Sequence, residues 1–432
     1  MDFGSTFTKA SLVDLFAGRI IASASHPTTI ATDVLDGYDA CLAALVDADP
    51  RAATAEVLAC SSAGGGLRIA VVGNEELVTA EAGRRVALSS GGKVVSVVAM
   101  ASGGDLTALD EPDVVLLTGG TDGGNSAVVL SAARALVDSG WTGPVVVAGN
   151  VEAQAEVAAI LAAVPHVLAD NVVPRIGVLA PDGARSAIRE MFLAHVIGGK
   201  HLSARADFTS MVRGATPDVV LTGVELLATG VGDVVVVDVG GATTDVHSVV
   251  DLDPDSIGRE VVATTRVTRT VEGDLGMRWS ALTTVVDLPE LTEAAQRRHD
   301  DPGFLPSTET ELDADEAIAR AAVGLALRRH AGRSKVVVSP EGRVVERTGK
   351  DLREVDLLVG SGGVLRNGRP GVAARVLAGS TGADLAGGWQ LPRDPRVVVD
   401  SDYVLAAAGL LATEHPEAAY RLAMTLVGPV AG

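Results

Sequence analysis

Short apolar runs alternate with helical patterns through the first half of the chain. The apolar runs predict strands at 57–60, 68–72, 94–99, 114–117, 145–148 and 166–169. Spacing of three and four between apolar residues predicts helices at 33–46, 75–89, 126–139 and 151–164. Such alternation is typical of βαβ units, so we expect a mostly parallel sheet covered on both faces.

Two stretches far apart in the chain share the pattern D-x-G-x-x-x-T, at residues 2–8 and 238–244. Apolar runs flank both, so each predicts a strand, a tight turn and a second strand. Glycine leaves the backbone open, and hydroxyl and N–H groups there can bind anionic oxygens. We expect two duplicated loops that face each other and hold a polyphosphate with its metal.

Three further strands run into glycine-rich loops. The loop at 360–363 is predicted to contact an adenosine, since backbone without side chains can lie flat against a purine or ribose. The loops at 61–66 and 118–125 are either sharp turns or a second ligand site, because ligands bind at the carboxyl ends of parallel strands. The second of these adds Thr118, Thr121, Asp122 and Asn125, which a simple turn does not require. The loop at 118–125 is also our candidate for contacting a partner protein or its cofactor.

Composition narrows the class of protein. The chain has 432 residues, 47% of them hydrophobic, a mean hydropathy of +0.32 and a net charge of −20. This length predicts two or more domains, and the charge argues against nucleic acid and anionic membranes as partners. Cys41 and Cys60 are too few for a disulfide framework and lack zinc-type spacing. Without a leader or membrane-spanning pattern, we expect a cytoplasmic protein.

The start of the chain is unusually close to the first loop. Only Met1 precedes Asp2, whereas a buried strand of about five residues is usual before such a loop. Either translation begins further upstream or the fold begins abruptly.

The order of two D-x-G loops, a helix at 216–230 before the second, and a late G-S-G-G loop resembles the superfamily of actin, sugar kinases and heat-shock chaperone ATPases. More narrowly, five blocks resemble the glutamate mutase L family. They are DFGSTFTK (2–9), CSSAGGGL (60–67), LTGGTDGGN (117–125), VDVGGATTDVH (237–247) and VEGDLGMR (271–278). Members of that family accompany cobalamin-dependent carbon-skeleton mutases and use ATP to exchange damaged corrinoid for intact cofactor.

The resemblance implies an α/β chain with an actin-like ATPase fold, made of two duplicated ribonuclease H-like domains. Domain I would span residues 1–230, with an inserted α/β region at about 60–180. Domain II would span 231–399, and helices at 400–432 would return to domain I. Closure of the two domains would then accompany ATP hydrolysis.

The resemblance also implies roles for individual residues. Asp2 and Asp238 would act in catalysis and hold Mg²⁺, through water, because Mg²⁺ keeps most of its hydration shell. Lys9 would neutralise the β- or γ-phosphate of ATP. The expected nucleotide donors are the remaining residues of both loops and the glycines of the late loop: Gly4, Ser5, Thr6, Thr8, Gly240, Gly241, Thr243, Thr244, Gly360, Gly362 and Gly363.

Several assignments stay open in the sequence. Glu272 and Asp274 would reach the ribose or metal, or Asp274 would cap a helix. Asp218 and Glu225 are candidates by position alone to orient the attacking water. The block at 60–67 is a structural turn or a partner surface.

The function implied by the resemblance is a slow ATPase that reactivates a mutase of the glutamate mutase type, such as methylaspartate mutase, as a chaperone of its cobalamin subunit. One alternative is a small-molecule kinase of the same superfamily, although no general-base aspartate stands in a diagnostic context. Another is an iron–sulfur activator of a radical dehydratase, which would use the two cysteines. The particular mutase and the oligomeric state do not follow from the sequence.

Overall fold

The computed structural model describes residues 1–107, 109–205, 207–252, 265–339, 342–384 and 387–428. The chain is a mixed α/β protein whose described residues fall into two compact units. Unit 1 comprises residues 1–14 and 20–221 with Thr265, and unit 2 comprises 15–19, 222–252 and 266–428. Within these ranges, no helix combines the length and apolar character needed to cross a membrane.

Unit 1 contains two five-stranded sheets. The strands of its described residues are, in chain order, β1 (Asp2–Phe3), β2 (Phe7–Asp14), β3 (Arg19–Pro27), β4 (Ala59–Ser61), β5 (Leu67–Gly73), β6 (Gly92–Ala99), β7 (Val114–Leu117), β8 (Val145–Val147), β9 (His166–Leu168) and β10 (Val212–Ala215). The first sheet has the order β3-β2-β1-β4-β10, with β1 antiparallel to β2 and parallel to β4.

The second sheet of unit 1 is nested between β4 and β10 in the chain. Its order is β6-β5-β7-β8-β9, and every neighbouring pair in it is parallel. Alternate side chains of β5 enter two different cores, Ile69 and Val71 on one face and Ala70 and Val72 on the other. Apolar residues on both faces explain why these strands read as continuous hydrophobic runs.

Helices cover both faces of the nested sheet. The α-helices that begin in unit 1 are α1 (Val34–Ala48), α2 (Glu81–Ser89), α3 (Ala127–Asp138), α4 (Gln154–Ile160), α5 (Asp182–Met191), α6 (Ile197–Gly199), α7 (Asp207–Met211) and α8 (Thr216–Val231). Residues of α2 and α5 share the core of Ile69, whereas those of α3 and α4 share the core of Ala70. The predicted parallel, two-faced sheet is therefore confirmed for this region.

Unit 2 contains one five-stranded sheet and a separate hairpin. The strands of its described residues are β11 (Val234–Val239), β12 (Thr244–Val249), β13 (Val267–Glu272), β14 (Arg333–Ser339), β15 (Gly342–Thr348), β16 (Leu357–Ser361) and β17 (Arg396–Val399). The sheet has the order β13-β12-β11-β16-β17, with β11 antiparallel to β12 and parallel to β16. The hairpin pairs β14 with β15.

The five-stranded sheet of unit 2 repeats the first sheet of unit 1. In each, the first strand lies centrally, its hairpin partner lies on one side, and a parallel strand from later in the chain lies on the other. The full orders match when the nested strands β5 to β9 and the hairpin β14–β15 are left aside. The sequence repeat thus corresponds to a repeat of strand order.

The longest helix anchors the core of unit 2. The helices with residues in this unit, besides the end of α8, are α9 (Ala281–Thr284), α10 (Thr292–Asp300), α11 (Glu309–His330), α12 (Gly363–Arg366), α13 (Val372–Leu377), α14 (Val404–Leu411) and α15 (Pro416–Met424). A reciprocal capping box of Thr308 and Glu311 starts α11. Its buried face, which includes Ile318 and Val323, packs on Val235 and Val237 of β11.

The grouping into units differs from the predicted domain limits in four places. Residues 15–19, 222–230 and the described part of 400–432 group with unit 2 rather than with the first domain, and Thr265 groups with unit 1 rather than with the second. The predicted boundaries stay predictions.

Candidate functional site

Both D-x-G stretches are hairpins with the same register. Asp2 pairs with Lys9 across the first hairpin, and Asp238 pairs with Asp245 across the second. Each turn is closed by the same backbone bond, in which the glycine N–H donates to the carbonyl three residues later, over 3.2 Å at Gly4 and 2.9 Å at Gly240. The predicted strand-turn-strand units are therefore confirmed in both places.

The two turn glycines are required by the hairpins themselves. A Cβ at Gly4 would lie 2.6 Å from the Phe7 carbonyl oxygen, and one at Gly240 would lie 2.8 Å from that of Thr243. Any side chain would push the closing carbonyl away. From the sequence we expect these glycines to leave space for a ligand. In the structure they first of all allow each hairpin turn to close.

In unit 1, the carboxylate of Asp2 is held by three side chains. The Thr216 hydroxyl donates to Oδ1 over 2.7 Å, the Cys60 thiol donates to the same oxygen over 3.5 Å, and Lys9 Nζ lies 3.7 Å from Oδ2. Asp2 is only 9% exposed, while Lys9 is half-buried. These contacts fix the position of the carboxylate and leave it opposite a cation.

The thiol beside Asp2 is held in its neutral form. Burial, and then the charge of Asp2, raise the pKa of Cys60 well above its usual range. Burial likewise raises the pKa of Cys41, which donates to the Thr8 carbonyl oxygen over 3.6 Å. Both cysteines are buried free thiols, as their number and spacing in the sequence predict.

The hydroxyl residues of the two hairpins divide into exposed and buried positions. Ser5 and Thr6 are exposed, and Thr243 is half-buried. Thr8 and Thr244 are fully buried, and the Thr244 hydroxyl donates to the Leu275 carbonyl over 3.1 Å. We therefore assign Thr8 and Thr244 to holding the hairpins, and the Thr243 hydroxyl donates to Asp245 over 3.2 Å.

The second hairpin differs from the first in its charges. Asp238 stands opposite Asp245, where the first hairpin has Lys9 opposite Asp2. Arg269, buried on β13, compensates Asp245 by donating from Nε over 2.9 Å and from Nη2 over 2.5 Å. The hairpin of unit 1 therefore pairs its aspartate with a cation, while that of unit 2 presents a half-buried Asp238 beside a neutralised carboxylate.

The late glycine loop meets the second hairpin at the same end of the sheet. Asp238 of β11 pairs in parallel with Ser361 of β16, so the two loops leave neighbouring strands side by side. Gly362 has φ +103°, and a Cβ there would lie 2.2 Å from the Val239 carbonyl oxygen. Gly363 is exposed, begins α12, and has open space where a Cβ would stand. Gly362 thus serves the approach of the two strands, and Gly363 is the residue that faces outward.

The same relationship exists in unit 1, where the sequence did not assign it. Asp2 pairs in parallel with Cys60 as Asp238 pairs with Ser361, so the block at 60–67 begins where the late glycine loop begins in unit 2. Gly65 and Gly66 both have positive φ. Repetition of the D-x-G pattern could have located this loop, since the later strand that pairs in parallel with the first strand of each hairpin runs into glycines.

Other residues named from the sequence are engaged elsewhere. The carboxylates of Glu272 and Asp274 both form ion pairs with Nη1 of Arg329, at 2.7 Å and 2.6 Å. Asp274 does not cap the following helix, because the N-cap residue of α9 is Ser280. Asp218 is buried and accepts from Arg189 Nε over 2.6 Å. A carboxylate neutralised in this way is poorly suited to activating water.

Residue Arg278 supports the second hairpin and was not predicted. Its backbone N–H donates to the Gly241 carbonyl over 2.7 Å, and the N–H of Met277 donates to that of Gly240 over 2.9 Å. The block VEGDLGMR therefore braces the loop through its backbone. Burial lowers the pKa of Arg278, and Asp315 lies 3.8 Å from its guanidinium.

The loop at 118–125, at the end of β7, is held by hydrogen bonds to neighbouring segments of unit 1. Thr118 is fully buried and donates to the Thr79 carbonyl over 3.0 Å. Asp122 Oδ1 accepts from Asn171 Nδ2 over 2.8 Å and from the Val151 N–H over 3.2 Å. Its polar side chains therefore shape the loop itself.

A protein family matches nearly the whole length of the chain. The model of the MutL protein family matches residues 1–426. A curated relative, Protein MutL of Clostridium tetanomorphum, is 35% identical over an alignment of 456 positions. The alignment covers 98% of this chain and 97% of the relative.

Two solved structures show a coarse likeness at 15% identity. One is a nucleotide-free acetone carboxylase, with a TM-score of 0.39 over 95% of this chain and 69% of that one. The other is an ATP-dependent caprolactamase from Pseudomonas jessenii, with a TM-score of 0.38 over 96% of this chain and 71% of that one.

Proposed function

The chain belongs to the MutL protein family, the glutamate mutase L family, and from that premise we propose that it is an ATP-dependent reactivating factor for a cobalamin-dependent carbon-skeleton mutase. In this proposal the protein is a slow ATPase of the actin-like kind, made of two duplicated ribonuclease H-like domains. Hydrolysis is coupled to exchange of damaged corrinoid on the mutase subunit.

The observation that carries the ATPase proposal is the pair of hairpins in identical register, each at the centre of a sheet with the same strand order. A single D-x-G turn is common. Here two such turns share the same closing hydrogen bond, and each lies beside a parallel strand that runs into a glycine loop. This repetition indicates a duplicated binding element.

The residues of the two hairpins fit Mg·ATP in their chemistry. Carboxylates at Asp2 and Asp238 suit a hydrated Mg²⁺, which takes few protein ligands directly. Lys9 supplies the cation that a polyphosphate needs in a protein of net charge −20. When bound, Mg²⁺ would supply positive charge against the phosphates of the nucleotide.

The remaining groups would position the nucleotide. Of the donors proposed from the sequence, Ser5 and Thr6 offer exposed hydroxyls and Gly241 offers a backbone N–H. The N–H groups of Gly4 and Gly240 close their own hairpins, and the Thr243 hydroxyl donates to Asp245 over 3.2 Å. Gly363, with Gly360 and Gly362 behind it, would take the adenosine. Thr216 holds the carboxylate of Asp2 in place.

Two alternative functions receive less support from the described residues. A small-molecule kinase needs a general-base aspartate beside its acceptor, and no aspartate of the sequence stands in a diagnostic context for that role. An iron–sulfur activator needs accessible cysteines, whereas Cys41 and Cys60 are both buried.

Calorimetry with Mg·ATP tests the nucleotide site. We expect Asp238→Ala to lose most of the affinity, while Asp251→Ala, at an exposed aspartate outside the hairpin, keeps that of the wild type. Equal, tight binding by both variants would refute the site.

Coupled assays test the coupling to a mutase. We expect slow basal ATP hydrolysis that rises when a mutase carrying inactive corrinoid is added, with recovery of mutase activity. ATP hydrolysis that requires a small alcohol or acid would favour the kinase instead.

A further inference from the structure

The nested sheet of unit 1 has a point where its connections diverge. From β5 the chain continues into α2 on one face, and from the adjacent β7 it continues into α3 on the opposite face. Two helices that leave neighbouring parallel strands in opposite directions open a crevice at the carboxyl end of the sheet. In open α/β sheets, ligands bind at such a crevice.

An open cavity of about 280 Å³ lies at this end of the nested sheet. Its lining residues are Asn74, Met100, Ala101, Ala127, Val128 and Ser131. Asn74 follows β5, the next two follow β6, and the last three lie on the first turns of α3. The cavity therefore stands where the sheet topology predicts a ligand.

Two of the three walls of this cavity, the loops after β5 and β6, are tied together within unit 1. The backbone N–H of Asn74 donates to the Thr79 hydroxyl over 2.7 Å, and the Asn74 carbonyl accepts from the N–H of Ala101 over 2.9 Å. The loops after β5 and β6 are thus joined before any ligand arrives. A preformed site binds with less loss of conformational entropy.

The lining favours an uncharged ligand. Four of the six lining residues are apolar, and the polar ones, Asn74 and Ser131, carry no charge. The amide nitrogen of Asn74 donates to the Glu75 carboxylate, so Asn74 offers its amide oxygen and Ser131 its hydroxyl. Exposed Glu75 and Glu76 follow Asn74 directly, so a ligand dominated by phosphates would meet like charge. The site fits an apolar ring with hydrogen-bonding groups along its edge.

The volume indicates that only part of the ligand is enclosed. Pockets for complete drug-sized ligands measure roughly 300–1,000 Å³. A 280 Å³ cavity with an open mouth can receive one edge of a large ligand, and the rest of that ligand would lie over the end of the sheet. Leu77, which follows β5 at this end, is 75% exposed and provides apolar surface there.

We propose that this crevice is a second ligand site, distinct from the hairpins, that takes one edge of a large, uncharged ring system bearing amide groups. Its identification as a corrinoid site rests on the proposed function, in which a corrinoid is exchanged. The amide side chains around a corrin ring can donate to the amide oxygen of Asn74 and hydrogen-bond the hydroxyl of Ser131.

Equilibrium dialysis of the full chain against cyanocobalamin, which is uncharged overall, tests the proposal. We expect the wild type to retain the corrinoid. Ala127→Trp puts an indole into the cavity and is expected to weaken binding roughly tenfold or more. The matched control is Ala155→Trp, since Ala155 is also exposed in the first turn of its helix, α4, and lies outside the cavity.

Calorimetry with Mg·ATP on the same three proteins separates the two proposals. Loss of cyanocobalamin by Ala127→Trp alone, with unchanged Mg·ATP binding in all three, supports the crevice. No cyanocobalamin binding by wild type, or equal binding by the two tryptophan variants, overturns it and leaves the ATPase proposal standing. Absence of Mg·ATP binding with cyanocobalamin still retained would overturn the ATPase proposal instead.

Discussion

The hydroxyl of Thr216 donates a 2.7 Å hydrogen bond to Oδ1 of Asp2, across 214 positions of sequence. Thr216 is the first residue of α8, and Asp2 lies on the short strand β1. The helix that leads toward the second hairpin is therefore connected at its start to the aspartate of the first. This contact identifies Thr216 as a positioning residue for Asp2.

Replacing Thr216 by valine should weaken Mg·ATP binding roughly tenfold, because a hydrogen bond to a charged group contributes about 1.5 kcal/mol or more. Valine keeps the shape but removes the donor. Thr216→Ser keeps the donor and should bind like the wild type in calorimetry. If Thr216→Val also binds like the wild type, while its melting temperature is unchanged, Asp2 does not depend on this contact for binding.

Neighbouring glycines of the late loop should respond differently to alanine. Gly362 has φ +103°, and the Cβ of Gly362→Ala would lie 2.2 Å from the Val239 carbonyl oxygen. Because of both the strained φ and this clash, we expect the variant to lose about 2 kcal/mol or more of unfolding free energy. Gly363→Ala meets nothing within 4 Å and lies in a helix, where alanine is favoured by roughly 0.5–1 kcal/mol.

Gly363→Ala should therefore stay at least as stable as the wild type in urea denaturation, yet bind Mg·ATP more weakly if its backbone lies against the adenosine. Unchanged nucleotide affinity in that variant would remove Gly363 from the proposed site. Gly362→Ala with wild-type stability would contradict the geometry of the loop.

Two buried histidines of unit 2 predict how stability varies with pH. Burial lowers the pKa of both His247 and His330 well below the ordinary value, with Arg269 and Lys350 respectively adding to the shift. His330 bonds Ser248 over 2.7 Å and Thr270 over 2.9 Å, whereas His247 Nδ1 has no hydrogen-bond partner among the described residues. Both rings are neutral in the folded state at neutral pH.

Below about pH 6.5, the unfolded chain takes up protons on these histidines that the folded chain does not. Stability is therefore complete above that pH and falls as the pH falls, by up to about 1.4 kcal/mol per pH unit for each histidine. Urea denaturation between pH 5 and 8 measures the slope. His247→Leu should reduce it by about one histidine's share, and the exposed His195→Leu should leave it unchanged.

The hairpins and the nested sheet were predictable because local signals agree there. In these regions a valine run such as 234–237 predicts a strand, and the glycines and polar residues that follow it predict the turn that ends that strand. β13 was missed as a strand since Arg269 stands in its middle, and only pairing with Asp245 on β12 makes an arginine acceptable there. β10 is four residues long with glycine at 214, too little for a periodic signal.

The parts of the site that depend on distant contacts were not predictable. Nothing near Thr216 indicates that its hydroxyl meets Asp2, and nothing in the block at 60–67 alone shows that it follows the strand beside β1. The burial of Thr8 and Thr244 likewise follows from how each hairpin packs in its unit rather than from the D-x-G pattern. Such relationships come from tertiary pairing, which one sequence does not encode locally.

The core of unit 2 contains a buried ion pair between Arg298 and Asp315. Arg298 is 1% exposed, and its Nε donates to Asp315, which is 6% exposed. The other guanidinium nitrogens donate to the carbonyls of Ala294 and Glu311 over 2.8 Å and 2.9 Å. Asp315→Ala would leave the arginine charge buried without its carboxylate, and should cost about 3–5 kcal/mol of unfolding free energy.

The control is the exposed ion pair of Arg134 and Glu156 at 2.8 Å, with both side chains more than half exposed. Glu156→Ala should cost less than about 1 kcal/mol, because water screens and replaces such a pair. The double variant Arg298→Met, Asp315→Leu should recover much of the stability lost in Asp315→Ala, since it removes both charges together. Urea denaturation of the four proteins at pH 7.5 measures all three costs. If Asp315→Ala costs no more than Glu156→Ala, the buried arginine has found water or another acceptor, and the pair does not organise the core beside Arg278.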